Sequence, residues 1–436
     1  MNDREQEGGP PGWKRTTLGE ALPIRYGKAR NEKYGTVRED TPVYGSSGRI
    51  DTFKRALTGG PSLIIGRKGT VGATYYCPEP CWPIDTVYFA EADVAKDLRF
   101  FKYLLDHLQL VRMDRSTAVP GLSRDDYNAT EVFIPEFDQQ RLIVAEIEKQ
   151  FSRLDEAVAN LKRVKANFKR SKAAILKVAV EGELTKEWRK QHPAVEPASK
   201  LLERILAERR EKWKGKGIYK KPAEPSISDL PALPECWTWA TLEQLTDAQA
   251  TVLYGILQPG PDLSSGVPYV RPTEIENDRI NLGSIKRTSE EIAARYRRST
   301  LQEGDIILSM VGTIGKVALV PKALNGGNIT QSSVRIRPVC DGIDRHFLAW
   351  SLRSPVLTHQ YDRKRLGTAV PRLNVEDVRL LCLPVAPFVE QQRIVAEVER
   401  RLSVIEELES VVKANLARAA RLRQSILSQA FSGALK

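Results

Sequence analysis

Apolar residues recur by threes and fours along two stretches of this chain. The first carries Ile147, Phe151, Leu154, Val158, Leu161, Phe168, Ile175 and Ala179, with Lys165 and Lys172 breaking the seam. The second carries Val398, Leu402, Ile405, Val412, Leu416, Ala419, Ile426 and Ala430, with Glu409 and Arg423 as interruptions. Such stepping is that of a coiled-coil seam and predicts two long helices. Neither stretch holds an internal Pro, and Gly182 and Gly433 stand where C-terminal caps are expected. A helix of about 40 residues reaches roughly 60 Å, too far to be buried in one small domain, so each needs a partner helix. The other copy is the simplest partner. Because the chain turns back between them through a large domain, an antiparallel pair with approximate two-fold symmetry is expected; two independent amphipathic helices on separate cores are the alternative.

The helices belong to a longer repeat. STAVPGLSRDDY at 116–127 returns as GTAVPRLNVEDV at 367–378, and the displacement of 251 residues set by Thr117 and Thr368 runs without a gap to Leu184 and Leu435. IVAE recurs at Ile143–Glu146 and Ile394–Glu397. Between the helices the contents differ. Residues 13 to about 115 and about 237 to 367 both open with Trp and a Thr-Leu pair (Trp13, Thr17-Leu18; Trp237, Thr241-Leu242). Thereafter one carries PVYGSSGRIDTF and PSLIIGRKGTVGATYY, the other PYVRPTEIENDRINL and GDIILSMVGTIGKVALV. These are short apolar runs punctuated by Gly and Pro, as in strands and turns, and they read as two mixed α/β globules on a common plan. Residues 198–213 have helical periodicity, and KGKGIYKKPAEPSISDLPALPE after them reads as a Pro-rich basic linker. The expected class is α+β. Its expected segments are a disordered N-terminus (1–12), a first globule (13–136), a first long helix (137–184), a linker (185–236), a second globule (237–386) and a second long helix (387–436).

Charge changes this picture more than size does. Among 436 residues, 67 Lys and Arg stand against 55 Asp and Glu, a formal net charge of +12 that favours a polyanionic partner, nucleic acid or an anionic membrane surface. The opening MNDREQEGGPPGW lacks a signal-peptide core and no run of about 18 apolar residues occurs, so a soluble cytoplasmic protein is expected. Five cysteines make no disulfide framework, and the close pair Cys77 and Cys81 lacks a second ligand pair nearby, so no metal is expected.

Catalytic signatures are missing. SMVGTIGKVA (309–318) ends a loop in Gly-Lys, but Met310 stands where a P-loop needs Gly and Val317 where it needs Ser or Thr. No GxSxG elbow, HExxH helix or NPPY tetrapeptide occurs, and the four His leave little scope for general-base chemistry. GRKGTVG and SMVGTIG instead share a layout that puts Gly69 with Gly312, Thr70 with Thr313 and Gly72 with Gly315. Their glycines suit a tight strand connection. The adjoining Arg67, Lys68 and Lys316, together with Thr70 and Thr313, suit a DNA phosphate. Basic and aromatic residues interleave in IRYGKARNEKYG, giving Arg25, Tyr26, Lys28 and Arg30, followed by Tyr44, Ser46, Ser47 and Arg49. The second globule offers Tyr269, Arg271 and Thr273, then Arg295, Tyr296, Arg297 and Arg298. All are candidate DNA contacts. A solvated, solubilising face is the other reading of such clusters.

This arrangement resembles the specificity subunit of a Type I restriction-modification enzyme. YGSSG with GRKGTVG resembles one class of target recognition domain, and YVRPTEI with GDIILSMVGTIGKV another. TAVP with IPEFDQQRLIVAEIE, restated as TAVP with APFVEQQRIVAEVE, resembles the module boundary and the start of that family's helical regions. The resemblance implies two target recognition domains alternating with two helices paired as an antiparallel coiled coil. It further implies a subunit without a catalytic centre that reads a split, asymmetric duplex target and docks two methyltransferase subunits. S-adenosylmethionine, ATP and Mg²⁺ would then belong to the methyltransferase and restriction/translocase partners, none to this chain. Two domains on one face of duplex DNA would address half-sites roughly 34 Å apart. Arg271-Pro272-Thr273 departs from the family's pattern, a Gly-Asn type turn being expected there. Two other classes stay open: a coiled-coil scaffold whose globules bind proteins, and an enzyme with an unfamiliar site.

Overall fold

Strand Ser62–Gly66 (SLIIG) is apolar on both faces because it lies between two cores. Leu63 and Ile65 face one that contains Phe100, Phe101 and Leu105, while Ile64 joins Cys77, Cys81, Val87 and Phe89 in the other. Side chains alternate across a strand, so a strand covered on both faces shows no polar alternation. The same device returns in strand Ile306–Ser309, with Ile306 and Leu308 on one side and Ile307 on the other.

The computed structural model describes residues 9–91, 96–113, 121–214, 218–339, 341–367 and 370–434. The first TAVP (117–120), the first two residues of the second (Thr368, Ala369), Leu435, Cys340, residues 215–217 of the linker and residues 1–8 of the expected disordered N-terminus lie outside the described residues. Two compact units are formed, 1–164 with 411–436, and 165–410. Each takes one half of each long helix, Phe137–Val180 and Phe388–Phe431, both 44 residues. The start of one helix shares a unit with the end of the other, as antiparallel pairing requires.

Within each unit the sequence seam is the buried seam. In the first, Ile143, Val144, Ile147 and Phe151 pack with Ile426, Leu427 and Ala430; in the second, Leu176 and Ala179 pack with Ile394, Val395 and Val398. Three of the four polar interruptions are paired, and the fourth, Lys165, is exposed. Lys172 Nζ meets Glu409 Oε2 at 2.8 Å, and Arg423 lies 3.9 Å from the Phe151 ring centroid while its Nη1 reaches Asp155 Oδ1 at 2.6 Å. Gly182 and Gly433 follow the helix ends with φ of 78° and 75°, the left-handed geometry that closes a helix at small cost only for Gly.

The two globules repeat one topology. In the first, a four-stranded antiparallel sheet runs in the order Arg25–Tyr26, Val87–Glu91, Ser62–Gly66, Thr74–Cys77. In the second the order is Leu253–Tyr254, Ser333–Ile336, Ile306–Ser309, Val317–Leu319. Each also has a three-stranded sheet with one parallel pair, Thr36–Gly45 beside Trp82–Pro83 and Val267–Val270 beside Asn328–Ile329. Each globule attaches to its long helix through a glutamine at the same repeat position, Gln140 and Gln391. Gln140 donates to Pro135 O (3.0 Å) and accepts from Asp97 N, and Gln391 donates to Ala386 O (2.9 Å) and accepts from Asp344 N. Asp97 and Asp344 in turn cap helices Leu98–Leu108 and Arg345–Arg353.

Part of the expected linker is core. Helix Ala198–Glu211 buries Ala198, Leu201 and Ile205 among Leu242, Leu245 and Ile343 of the second globule, and Arg209 donates to Thr246 O.

Candidate nucleic-acid interface

Both Gly-rich turns are built by the same hydrogen bonds. In the first, Gly66 N donates to Ala73 O and Gly72 N to Gly66 O, both at 2.8 Å; in the second, Ser309 N donates to Lys316 O (2.9 Å) and Gly315 N to Ser309 O (3.1 Å). Gly69, Gly72, Gly312 and Gly315 all have φ between 73° and 87°. A neighbouring carbonyl holds the turn: the N–H groups of Arg67 and Lys68 both donate to Thr86 O, and those of Met310 and Val311 to Ser332 O. The chain following each TAVP returns to this point. Leu122 N donates to Arg67 O and Leu373 N to Met310 O, each at 2.9 Å, with bridges Lys68–Gly121 and Val311–Arg372. The repeated tetrapeptide therefore leads into the segment that closes each globule onto its turn.

Around this common backbone the side chains differ. In the first globule the Arg67 guanidinium lies 5.3 Å from the exposed Tyr26 ring and donates to Asp85 O (2.8 Å), and Arg124 lies 5.5 Å from the same ring. Ser46 and Ser47 form the tip of hairpin Thr36–Ala56, and a Cβ on Gly69 would come within 3.0 Å of Ser46 Oγ, so tip and turn are neighbours. Lys68, Thr70 and Arg49 are exposed. Arg25 pairs with Glu91, Arg30 with Asp51 (2.6 Å), and Lys28 Nζ stands 4.5 Å from the Tyr34 ring. Tyr44 turns toward the small core of Ile64 and Cys77, where burial pushes its hydroxyl pKa up to about 12.

In the second globule Arg271, Thr273, Thr313 and Lys316 line one cleft of about 480 Å³, with Gln331 and Ser332. Arg271 grips the buried Glu274 (2.5 Å), and Lys316 Nζ donates to Pro272 O and Ile275 O at 2.8 and 2.9 Å. Burial opposes ionisation of Glu274, but hydrogen bonds from Arg271 and Thr273 overcome it and hold the carboxyl below its ordinary range. Arg271, Lys316 and Thr273, whose hydroxyl donates to Glu274 Oε1 at 2.8 Å, thus act first on their own loop, leaving Thr313 as an exposed polar group at the mouth. Arg295 pairs with Glu291, and Tyr296 is half-buried. Arg297 and Arg298 are exposed, and Arg298 lines a different cleft.

Tyr269 is a correction. Only 3 % exposed, it belongs to the core rather than to any contact surface. Tyr269 pairs with Asn328 as Val43 pairs with Trp82, so it takes the place of Val43 and not of Tyr44; a one-residue offset in a strand reverses the face. Tyr254 escapes sequence reasoning although it is exposed: VLYG at 252–255 matches IRYG at 24–27, and Tyr254 (46 % exposed) holds the position of Tyr26 (45 %). Among the described residues no group of three or more His, Cys, Asp or Glu is placed to hold a metal, and no helix is long and apolar enough to cross a membrane. Cys77 and Cys81 are buried free thiols.

Residues 261–414 match the family model described as the Type I restriction modification DNA specificity domain. Relatives align over most of the chain. It is 29 % identical over 376 residues to the Type I restriction enzyme EcoBI specificity subunit of Escherichia coli, covering 86 % of this chain and 73 % of that one. To the Escherichia coli EcoDI specificity subunit it is 26 % identical, covering 98 % and 89 %. By these matches the chain is similar to the Type I specificity subunits. A solved neighbour supports the fold alone: a chain from work on complex assembly and conformational transition of the type I R-M system superposes with a TM-score of 0.64 at 17 % identity, covering 98 % of this chain and 100 % of that one.

Proposed function

We propose that this chain is a specificity subunit that recognises a bipartite, asymmetric duplex DNA target, one half-site per globule, and has no catalytic centre of its own. Its repeated helices dock two methyltransferase subunits, which bring S-adenosylmethionine, and restriction/translocase subunits using ATP and Mg²⁺ join for cleavage. The observation that carries this reading is one backbone design carrying two different sets of side chains, basic at the first turn and apolar at the second, where Met310 is buried. Arg67 and Lys68 in the first turn are Met310 and Val311 in the second, held by the same pair of N–H donors to a carbonyl. Unlike modules suit unlike half-sites, whereas identical modules would read a palindrome. Two copies of one helical frame suit two copies of one partner. The formal charge of +12 suits a duplex.

The test is to co-express the chain with the methyltransferase subunit encoded beside it and map methylated adenines in host DNA by single-molecule sequencing. Methylation at one split, non-palindromic motif that disappears when this chain is omitted is the expected result. Methylation indifferent to the chain would move the assignment to a protein-binding scaffold.

A further inference from the structure

Strand Ser333–Ile336 leads into two arginines of opposite fate. Arg337 is forked onto Asp305, Nε to Oδ1 and Nη2 to Oδ2 both at 2.7 Å. Arg335, two residues earlier and on the same side of the chain, has no such partner. Its residue is 2 % exposed, its Nη2 donates to Thr251 O (3.0 Å), and its buried Nε finds no acceptor. Burial lowers its pKa to about 10, with the charges of Arg337 and Arg298 acting the same way and those of Asp305 and Asp247, neither of them hydrogen-bonded to it, opposing. A buried guanidinium without a counter-ion is costly, which calls for an anion.

The surroundings supply a place for one. Arg335 lines a cleft of about 370 Å³ with Trp213, Lys214, Gln249, Thr251 and Arg298. It has three cations on its walls and no carboxylate. Lys214 and Arg298 are exposed, and neither makes an ion pair among the described residues. The larger cleft beside hairpin Ile275–Ile280 mixes Lys169 and Lys172 with Glu406 and Glu409, and so asks for no added charge. Position narrows the anion further. Thr330, Gln331 and Ser332 line the cleft at the second Gly-rich turn, and the same chain runs on as the strand that carries Arg335. Three residues of strand separate Ser332 from Arg335, about 10 Å, the rise of roughly three nucleotides along one DNA strand.

We propose that this cleft is a phosphodiester clamp in which Arg335, Arg298 and Lys214 hold a backbone phosphate of the duplex read by the second globule. The inference rests on the DNA-recognition reading and adds a positioning site separate from the base-reading cleft. A planar guanidinium suits phosphate oxygens, and its rigid burial fixes where the phosphate must sit. The clamp sets register and carries no sequence information.

The test uses the full chain and a short duplex bearing the target found by methylation mapping, beside a scrambled duplex, with affinity measured by fluorescence anisotropy over a KCl series. Arg298→Ala and Lys214→Ala alter exposed positions and leave the fold intact; Arg335→Gln is checked by thermal melting. Each variant is expected to weaken target and scrambled duplex by the same factor, about tenfold. The slope of log affinity against log salt should fall by about 0.9 for each phosphate that is no longer neutralised. An unchanged slope, or a weakening confined to the target duplex, overturns the clamp. So does a free-chain melting temperature that inorganic phosphate raises through Arg298 while the DNA slope stays unaltered, since the site would then hold a small oxyanion. If the wild-type chain shows no preference for the target, the recognition reading itself fails, a result distinct from these.

Discussion

Glu390 offers a prediction with its own internal control. Its side chain is fully buried and accepts three hydrogen bonds, from Arg189 Nη1 (2.6 Å), Thr185 Oγ (2.6 Å) and Trp237 Nε1 (2.9 Å). Arg189 is itself only 15 % exposed at the side chain and lies 5.8 Å from the Trp237 ring. Glu390→Ala therefore strands a nearly buried guanidinium and an indole N–H together. Breaking a buried pair by removing one partner costs about 3–5 kcal/mol, and the orphaned N–H alone about 1–3 kcal/mol, overlapping contributions that together place the expected loss near 4 kcal/mol. The repeat places Gln139 at the equivalent position of the other helix, where it is exposed, so Gln139→Ala should cost under about 0.5 kcal/mol. A chain of two units need not unfold in one step, so peptide-resolved hydrogen exchange is the suitable assay. Protection should fall in 176–180, around Trp237 and in 394–398 for Glu390→Ala, and nowhere for Gln139→Ala. Replacing the guanidinium as well, in Glu390→Ala with Arg189→Met, should recover part of the loss. Equal effects of the two single alanine changes would refute the reasoning, because the buried network would then contribute nothing.

Other consequences concern the frame, the turns and pH. Leu154→Pro or Leu416→Pro, each inside a 44-residue helix, should cost about 3 kcal/mol or more and abolish co-purification of methyltransferase subunits; a fully assembled complex from either variant would count against the helical frame. Arg67→Ala should weaken the first half-site by about 1–3 kcal/mol and leave the second untouched, read out by mapping methylation on targets altered in one half at a time. Arg271→Ala should instead destabilise the second unit before it affects DNA, since Glu274 is left buried without its partner; proteolysis and DNA affinity measured in parallel distinguish the two. Because the Glu274 carboxyl titrates below its ordinary value, its contribution to stability is complete above the unfolded pKa and is lost as pH falls through the folded one. Acid unfolding of the wild type should therefore show a step below about pH 4.5 that Glu274→Gln lacks.

The frame was legible in the sequence because helices of this kind are specified by periodicity. Val398, Ile426 and Ala179 stand in the buried seam where a 3.5-residue step puts them, and both cap glycines have the backbone angles their position demands. Even the interruptions fit, since Lys172 and Glu409 belong to opposite copies and answer one another. The surfaces of the globules were less legible for a definite reason. Whether an aromatic in a strand faces core or solvent turns on a register of one residue, which sequence spacing does not fix where both faces are apolar. Tyr269 is misplaced on that account and Tyr254 overlooked, although the IRYG and VLYG tetrapeptides hold the correct alignment. Ion pairing was equally hidden. Arg25, Arg30, Arg271 and Arg295 each meet a carboxylate, whereas Arg335 and Arg337 look equivalent in VRIRP and only packing shows that one of them lacks a counter-charge.

That difference between paired and unpaired cations bears on how one backbone can serve two targets. In both Gly-rich turns main-chain hydrogen bonds carry the shared shape, N–H pairs to Thr86 O and Ser332 O and a return bond from Leu122 or Leu373, and in the second turn the Ser309 hydroxyl adds bonds to Thr313 O and from Lys316 N. The same loop shape carries a half-buried Arg67 and an exposed Lys68 in one globule and, in the other, a Met310 buried in the core beside a half-buried Val311. The supporting cations are bonded into the loop itself. Lys316 bridges two carbonyls of the 272–275 segment and Arg271 satisfies Glu274, so altering either moves backbone. On the proposed DNA-recognition reading, base contacts are expected from positions whose backbone is fully satisfied and whose side chains are not, and Arg67, with its Nε unpartnered beside Tyr26, meets that condition in the first globule. In the second the condition falls on Thr313 and Tyr254 more than on the basic residues nearest in sequence, with Arg335 reserved for the phosphate that sets their register.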